Sequence, residues 1–254
     1  MYEEVCYQKP FLKEVVARID FVAPLAGLEK NLPTKLANTA SDHFPIAEPT
    51  ESTTQELTLE ASGKLQHRET RFQIWNFFGK DREKQLTLAA PFMFISFKKY
   101  TTFENMKEAW AAIVQAVGKA FPDGKAARFG LRYINSIEID GLPPTTWNDY
   151  IANGLLGSIA FFNQPESMTR LNQVAEFKYD DVQVRGQFGM PNPDYPAVMK
   201  RAMFVVDLDA YVDTAHDLSD SLQHMDKAHE HIQALFEKCI TAKLRERMNA
   251  NAAA

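Results

Sequence analysis

Residues 128–140 read RFGLRYINSIEID, and their alternation decides the fold. Successive side chains of a strand point to opposite faces. Phe129, Leu131, Tyr133, Asn135, Ile137 and Ile139 therefore share one face, and Arg128, Gly130, Arg132, Ile134, Ser136 and Glu138 share the other. One face is apolar and one is wet. A strand of that kind belongs in an antiparallel sheet with helices on one side, the α+β arrangement. Arg128 and Arg132 stand on the wet face. Either they are solvated and paired with a glutamate across the sheet, or they form an anion site, since two guanidinium groups suit a phosphate or carboxylate. Asn135 stands on the apolar face, where a buried amide must find partners. It either pins a neighbouring backbone or lines a ligand site.

Upstream of this strand, FENMKEAWAAIVQAVGKAF (103–121) places Phe103, Met106, Trp110, Ile113, Val114 and Val117 at helical spacing. Thr102 is its N-cap, and Pro122, Asp123 and Gly124 end it. Strands are expected at 12–22, 56–61, 69–78 and 84–100, the last broken at Pro91. Residues 25–53 form the longest irregular stretch, with a short helix near 27–37. Downstream, a short helix is expected near 147–156, with strands at 168–180, 182–190 and 202–212. Asp180-Asp181 marks a turn, and the glycine pair of RGQFG (185–189) reads as a bulge. One long helix is expected over 219–248, capped by Asp217 or Ser219. Residues 69–121 and 182–241 share a plan of two strands and an amphipathic helix. The expected architecture is one α+β domain over 1–254, mostly antiparallel sheet, built from two related β-β-α halves (54–140 and 168–248) with a long C-terminal helix.

Composition bounds the function. A net charge of −5 does not favour an electrostatic nucleic-acid binder, which needs a basic field to release counterions. The two cysteines, Cys6 and Cys239, lie near opposite ends and form no CxxC, which argues against structural zinc or a disulfide framework and points to the cytoplasm. MYEEVCYQKPFLKEVV carries acids where a signal peptide needs bases, and no apolar run reaches membrane-helix length. The tail NANAAA reads as frayed.

Three further stretches invite chemical readings. In HMDKAHEH (224–231), His229 falls on the apolar stripe of the last helix with Met225 and Ile232, while His224 and His231 share a more exposed face. The HExxH spacing of zinc hydrolases is absent, so no metal is expected; His229 is a helix–sheet histidine or a pocket residue, within pairing distance of Asp226. Asp207 and Asp209 share a strand face and could hold magnesium, or could be the wet end of a strand. RFQIWNFFGK (71–80) interleaves Arg71, Phe72, Trp75, Phe77 and Phe78, which suits either base stacking or sheet packing. GxSxG, Walker A and GxGxxG patterns are absent, and no cofactor is implied.

KPFLKEVVARIDF at the N-terminus, RFGLRYINSIEI in the middle and HEHIQALFEKCITAKLRERM at the end together resemble a sporadically distributed bacterial family of uncharacterised proteins of about this length. The most specific element is LRYIN (131–135), with the final HxxIxxxFE-type helix in support. The resemblance implies no activity. It does imply that Arg132, Tyr133 and Asn135, with His229 and Phe236-Glu237, form a shared feature, either of fold or of a site. Patchy distribution suits mobile or defence-associated genes.

These readings lead to a non-enzymatic binding or interaction protein, its partner another protein or a second copy of itself, with no membrane. Two alternatives stay open. One is a nucleotide or nucleic-acid processing enzyme with Arg128 and Arg132 on phosphate and His229 as acid or base. The other is a small-ligand binder whose pocket lies between the sheet and the final helix near His229; Arg128, Arg132, Asn135 and His229 are the candidate ligand-binding residues.

Overall fold

The computed structural model describes residues 5–59 and 65–252. Strands β1 (Val5–Tyr7) and β2 (Leu12–Phe21) are followed by helix α1 (Thr34–His43) and strands β3 (Ile46–Ala47), β4 (Thr50–Leu59), β5 (Leu65–Phe78), β6 (Lys84–Ala89) and β7 (Phe92–Phe97). Helix α2 (Phe103–Ala120) leads into β8 (Lys125–Glu138), then come α3 (Gly157–Phe161), β9 (Leu171–Tyr179), β10 (Val182–Met190) and β11 (Met203–Val212). The chain closes with β12 (His216–Asp217), α4 (Ser221–Cys239), α5 (Ala242–Arg247) and β13 (Ala250–Ala252). Residues 60 and 61 of the expected 56–61 strand, and 253 and 254 of the tail, lie outside the described residues.

Among the described residues, one antiparallel sheet holds every strand but β1 and β13, in the order β3-β5-β6-β7-β2-β8-β11-β10-β9, with β12 on β8 and β4 on β5. The fold is α+β. Its axis is the antiparallel pair β2–β8. On one flank the meander β5-β6-β7 runs in towards β2, and on the other β9-β10-β11 runs in towards β8. Each meander is followed by a long helix, α2 or α4. Strand β8 thus holds in the second run the place that β2 holds in the first.

The alternation read in 128–140 is realised. Phe129, Leu131, Tyr133 and Ile137 of β8 are buried, as are Val15, Ala17 and Ile19 of β2, and both sets face the helices. Trp110 of α2 is fully buried and its ring lies 5.9 Å from that of Phe129. Helix α4 seats Met225, Ala228, Ile232, Phe236 and Cys239 against β8, β10 and β11. Burying each of Met225, Ile232 and Phe236 is worth about 1.5–3 kcal/mol.

Several expectations are corrected. The single helix over 219–248 is two: α4 ends at Cys239, and α5 restarts after Thr241, whose hydroxyl accepts from the Leu244 N–H. Neither Asp217 nor Ser219 caps α4; Leu218–Asp220 form a 3-10 turn ahead of it. Helix α1 lies at 34–43, later than the 27–37 reading, and the 147–156 region holds turns and a 3-10 turn before α3. Strand β10 has no bulge: its register with β9 and β11 is unbroken. Gly186 is there because the Phe188 ring occupies the space a Cβ would need, 2.4 Å away. The described part of the tail is paired over Ala250–Ala252, which joins Val5–Tyr7 in a two-stranded ribbon. No helix among the described residues is long and apolar enough to cross a membrane.

Candidate functional site

A cavity of about 490 Å³ lies where β8, the start of α2 and the middle of α4 meet, within the usual range for small-molecule sites. Strand β8 supplies Tyr133 and Asn135 from its helix-facing side. The Thr102 hydroxyl accepts from the Asn105 N–H at 3.2 Å and fixes the first turn of α2, which carries Phe103 and Glu104 into the wall. Helix α4 presents His229, Ile232, Gln233, Phe236 and Glu237, all at i+3 or i+4 spacing and so on one face. The β1–β13 ribbon adds Tyr7, held against α4 by the Gln233 amide, which donates to the Val5 carbonyl at 2.9 Å.

Two polar clusters line this cavity. In the first, the hydroxyls of Tyr100 and Tyr133 are 2.9 Å apart, and the Tyr133 hydroxyl is 3.1 Å from Nδ1 of His229. The Phe103 ring stacks on the imidazole at 3.8 Å and 4°. Burial pushes His229 down to about 4, against the opposing pull of Glu104 and Asp226, so the ring is neutral at neutral pH. In the second, the Tyr7 hydroxyl donates to Glu237 at 2.6 Å, and Arg245 Nε donates to the other carboxylate oxygen at 2.6 Å. Burial first, and the Glu237 carboxylate next, push the Tyr7 phenol well above its usual range. The break after α4 is what lets α5 turn Arg245 back onto Glu237.

The four residues singled out in the sequence divide two and two. Asn135 and His229 both line the cavity. The Asn135 amide donates to the Val206 carbonyl at 3.3 Å, so it pins a neighbouring strand as well. Arg128 and Arg132 stand on the opposite face of the sheet, and both are occupied. Arg132 is bidentate to Asp207, at 2.8 and 2.5 Å, and Arg128 reaches Asp209 at 3.1 Å. Their partners are thus aspartates of β11, in place of the expected glutamate. Arg128 lies across Gly130, where a Cβ would stand 2.7 Å from its guanidinium, and over the Tyr211 ring at 4.6 Å. The hydrogen bond to Asp207 holds Arg132 above its ordinary value; burial raises Asp209, against the pull of both arginines. The same pairs account for the DLDAY acids. No cluster of three or more His, Cys, Asp or Glu able to hold a metal ion is found among the described residues.

The other candidates resolve into structure. Asp226 pairs with Lys107 at 2.6 Å. The His224 side chain is only 12% exposed, against expectation. It packs edge-on to His216 at 4.6 Å and is held below its ordinary value by burial and by that neighbour. His231 stacks on Tyr179 at 4.4 Å. In the 71–80 run, Phe77 is buried, the Trp75 indole donates to the Leu28 carbonyl at 2.8 Å, and Phe78 lies under Arg82.

Sequence reading missed Tyr7, Tyr100, Phe103 and Glu104 as site residues. The only local signal was the Thr102 cap, which places 103 and 104 on the first turn of a helix. Of the residues carrying the family resemblance, Tyr133, Asn135, His229, Phe236 and Glu237 converge on the cavity, whereas Arg132 faces away. No family model and no curated protein matches the chain.

Proposed function

We propose that this is a non-enzymatic binding protein whose ligand is a small organic molecule held between the sheet and α4. The observation that carries the reading is the cavity itself: about 490 Å³, walled by aromatic rings, with a few hydrogen-bonding groups converging on it. The Tyr100–Tyr133–His229 chain supports it. A neutral imidazole and two phenols can donate to or accept from a polar group without imposing a charge. The separation of Arg128 and Arg132 from His229 by the full thickness of the sheet favours this reading over a phosphate-handling enzyme built from all three.

The test is thermal denaturation of the folded chain against a panel of small aromatic compounds, with Thr101→Trp as control. Thr101 lies at the rim and is exposed, so the indole closes the entrance without crowding the core. A ligand of the native state raises the midpoint by mass action. The expected result is a concentration-dependent rise in the parent protein that the variant lacks. Equal rises in both proteins would place binding elsewhere.

A further inference from the structure

Strand β9 ends the sheet, and among the described residues no strand and no backbone hydrogen bond meets its outer edge. Its residues, LNQVAEFKY, run against β10 in an unbroken register and include no proline. Natural edges are blunted by a bulge, a proline or a covering segment, because unpaired N–H and C=O groups invite another strand. The surroundings of β9 add to that invitation. Of the eight large hydrophobic side chains exposed among the described residues, six lie between 161 and 198: Phe161, Phe162, Val174, Tyr179, Tyr195 and Val198. Val174 and Tyr179 belong to β9 itself. The segments that carry the others meet its start. The Gln173 amide donates to the Leu155 carbonyl just ahead of α3 at 2.9 Å, the Met199 N–H donates to the Met168 carbonyl at 3.4 Å, and the Arg170 guanidinium lies over the Tyr195 ring at 4.4 Å. Exposed apolar side chains gathered in this way mark an interaction surface.

The charges say what fits it. Arg170, Asn172, Val174 and Glu176 follow period two, and all are exposed. Arg170 makes no ion pair among the described residues, and Glu176 reaches Arg185 only at 3.9 Å. A second β9, turned antiparallel about an axis through Gln173, sets Arg170 opposite Glu176 of the other copy, twice, and Val174 opposite Asn172. On the helix-facing side Leu171 then meets Ala175. The row is its own complement. We propose that β9 pairs with β9 of a second copy of this chain in that register, joining two sheets into one across a two-fold axis.

Sedimentation velocity of the full chain over a concentration series tests this, with variants confined to exposed side chains. The parent is expected to dimerise. Arg170→Glu and Glu176→Arg each set like charges opposite one another and should weaken the dimer about tenfold. Mixed in equal amounts, the two variants restore both opposite-charge pairs and should dimerise with each other as the parent does. The double variant should do so with itself. Melting midpoints equal to the parent's check that each variant is folded. A parent that stays monomeric at every concentration would overturn the proposal, as would a dimer indifferent to both changes. Loss of the dimer in only one of the single variants would overturn the Gln173 axis. Failure of both the mixture and the double variant to recover would overturn the pairing of Arg170 with Glu176.

Discussion

His229 is taken by folding from water to a place between the Phe103 ring and the Tyr133 hydroxyl. Its folded value of about 4 lies below the ordinary 6.5, so between those values the unfolded chain binds the extra proton. Stability therefore rises with pH through that window; it carries no penalty above pH 6.5 and loses about 3 kcal/mol by pH 4. Urea denaturation of His229→Gln from pH 4 to 7 should show a shallower slope than the parent, with a remainder from His224, which is shifted in the same direction. An unchanged slope would mean that His229 is solvated. Across the sheet, Arg132→Ala leaves the buried Asp207 carboxylate without its bidentate partner and should cost about 2 kcal/mol. Arg132→Leu combined with Asp207→Leu should recover most of it, and a neutral single change would contradict the pairing. At this scale the faces of 128–140 were legible, because period-2 alternation states them directly. The partners were not: which acid meets Arg132 depends on the register of β11, which lies about 70 residues on and has no local signature.

The element that shapes the cavity most is α2. Its first turn presents Phe103 and Glu104 only if Thr102 caps it. Thr102→Ala should lower stability by about 1 kcal/mol and also weaken any pocket ligand, because the wall and the cap are one turn. Thermal melts with and without a compound that the aromatic panel shows to bind would check both. A stability loss with unaltered ligand response would separate helix from site. This helix was legible nearly to the residue, from its apolar spacing and its cap. The C-terminal helix was not. The apolar stripe continues past Cys239 to Leu244, so periodicity reads straight through, yet the chain turns at Ile240 and Thr241. The 240–241 break is tertiary in origin: Ile240 bridges to Ile151, and the Thr241 hydroxyl donates to the Asp149 carbonyl. Contacts so distant in sequence leave no mark on the helical pattern.

Across the whole molecule, two meanders close on the β2–β8 pair, and each sends a long helix over the same face of the sheet. The cavity lies at the seam between those helices, and Val5–Tyr7 pairs with Ala250–Ala252 beside it in the β1–β13 ribbon. This explains why the site was only half legible. Asn135 and His229 stood out as polar residues on apolar faces. Tyr7, Tyr100 and Phe103 are ordinary aromatics until the topology gathers four distant segments. The other face of the sheet is a ladder of Arg–Asp pairs, whose residue types suggested an anion site that the pairing itself occupies. The claim on which the account turns is that ligands enter the seam and not the open face. The most direct measurement is a two-dimensional amide NMR titration of the full chain with the small aromatic compounds of the panel. The account predicts shifts concentrated at Tyr100–Glu104, Tyr133–Asn135 and His229–Glu237, with Arg128, Asp207 and Asp209 still. Shifts centred on the Arg–Asp ladder, or none at saturating probe, would contradict it.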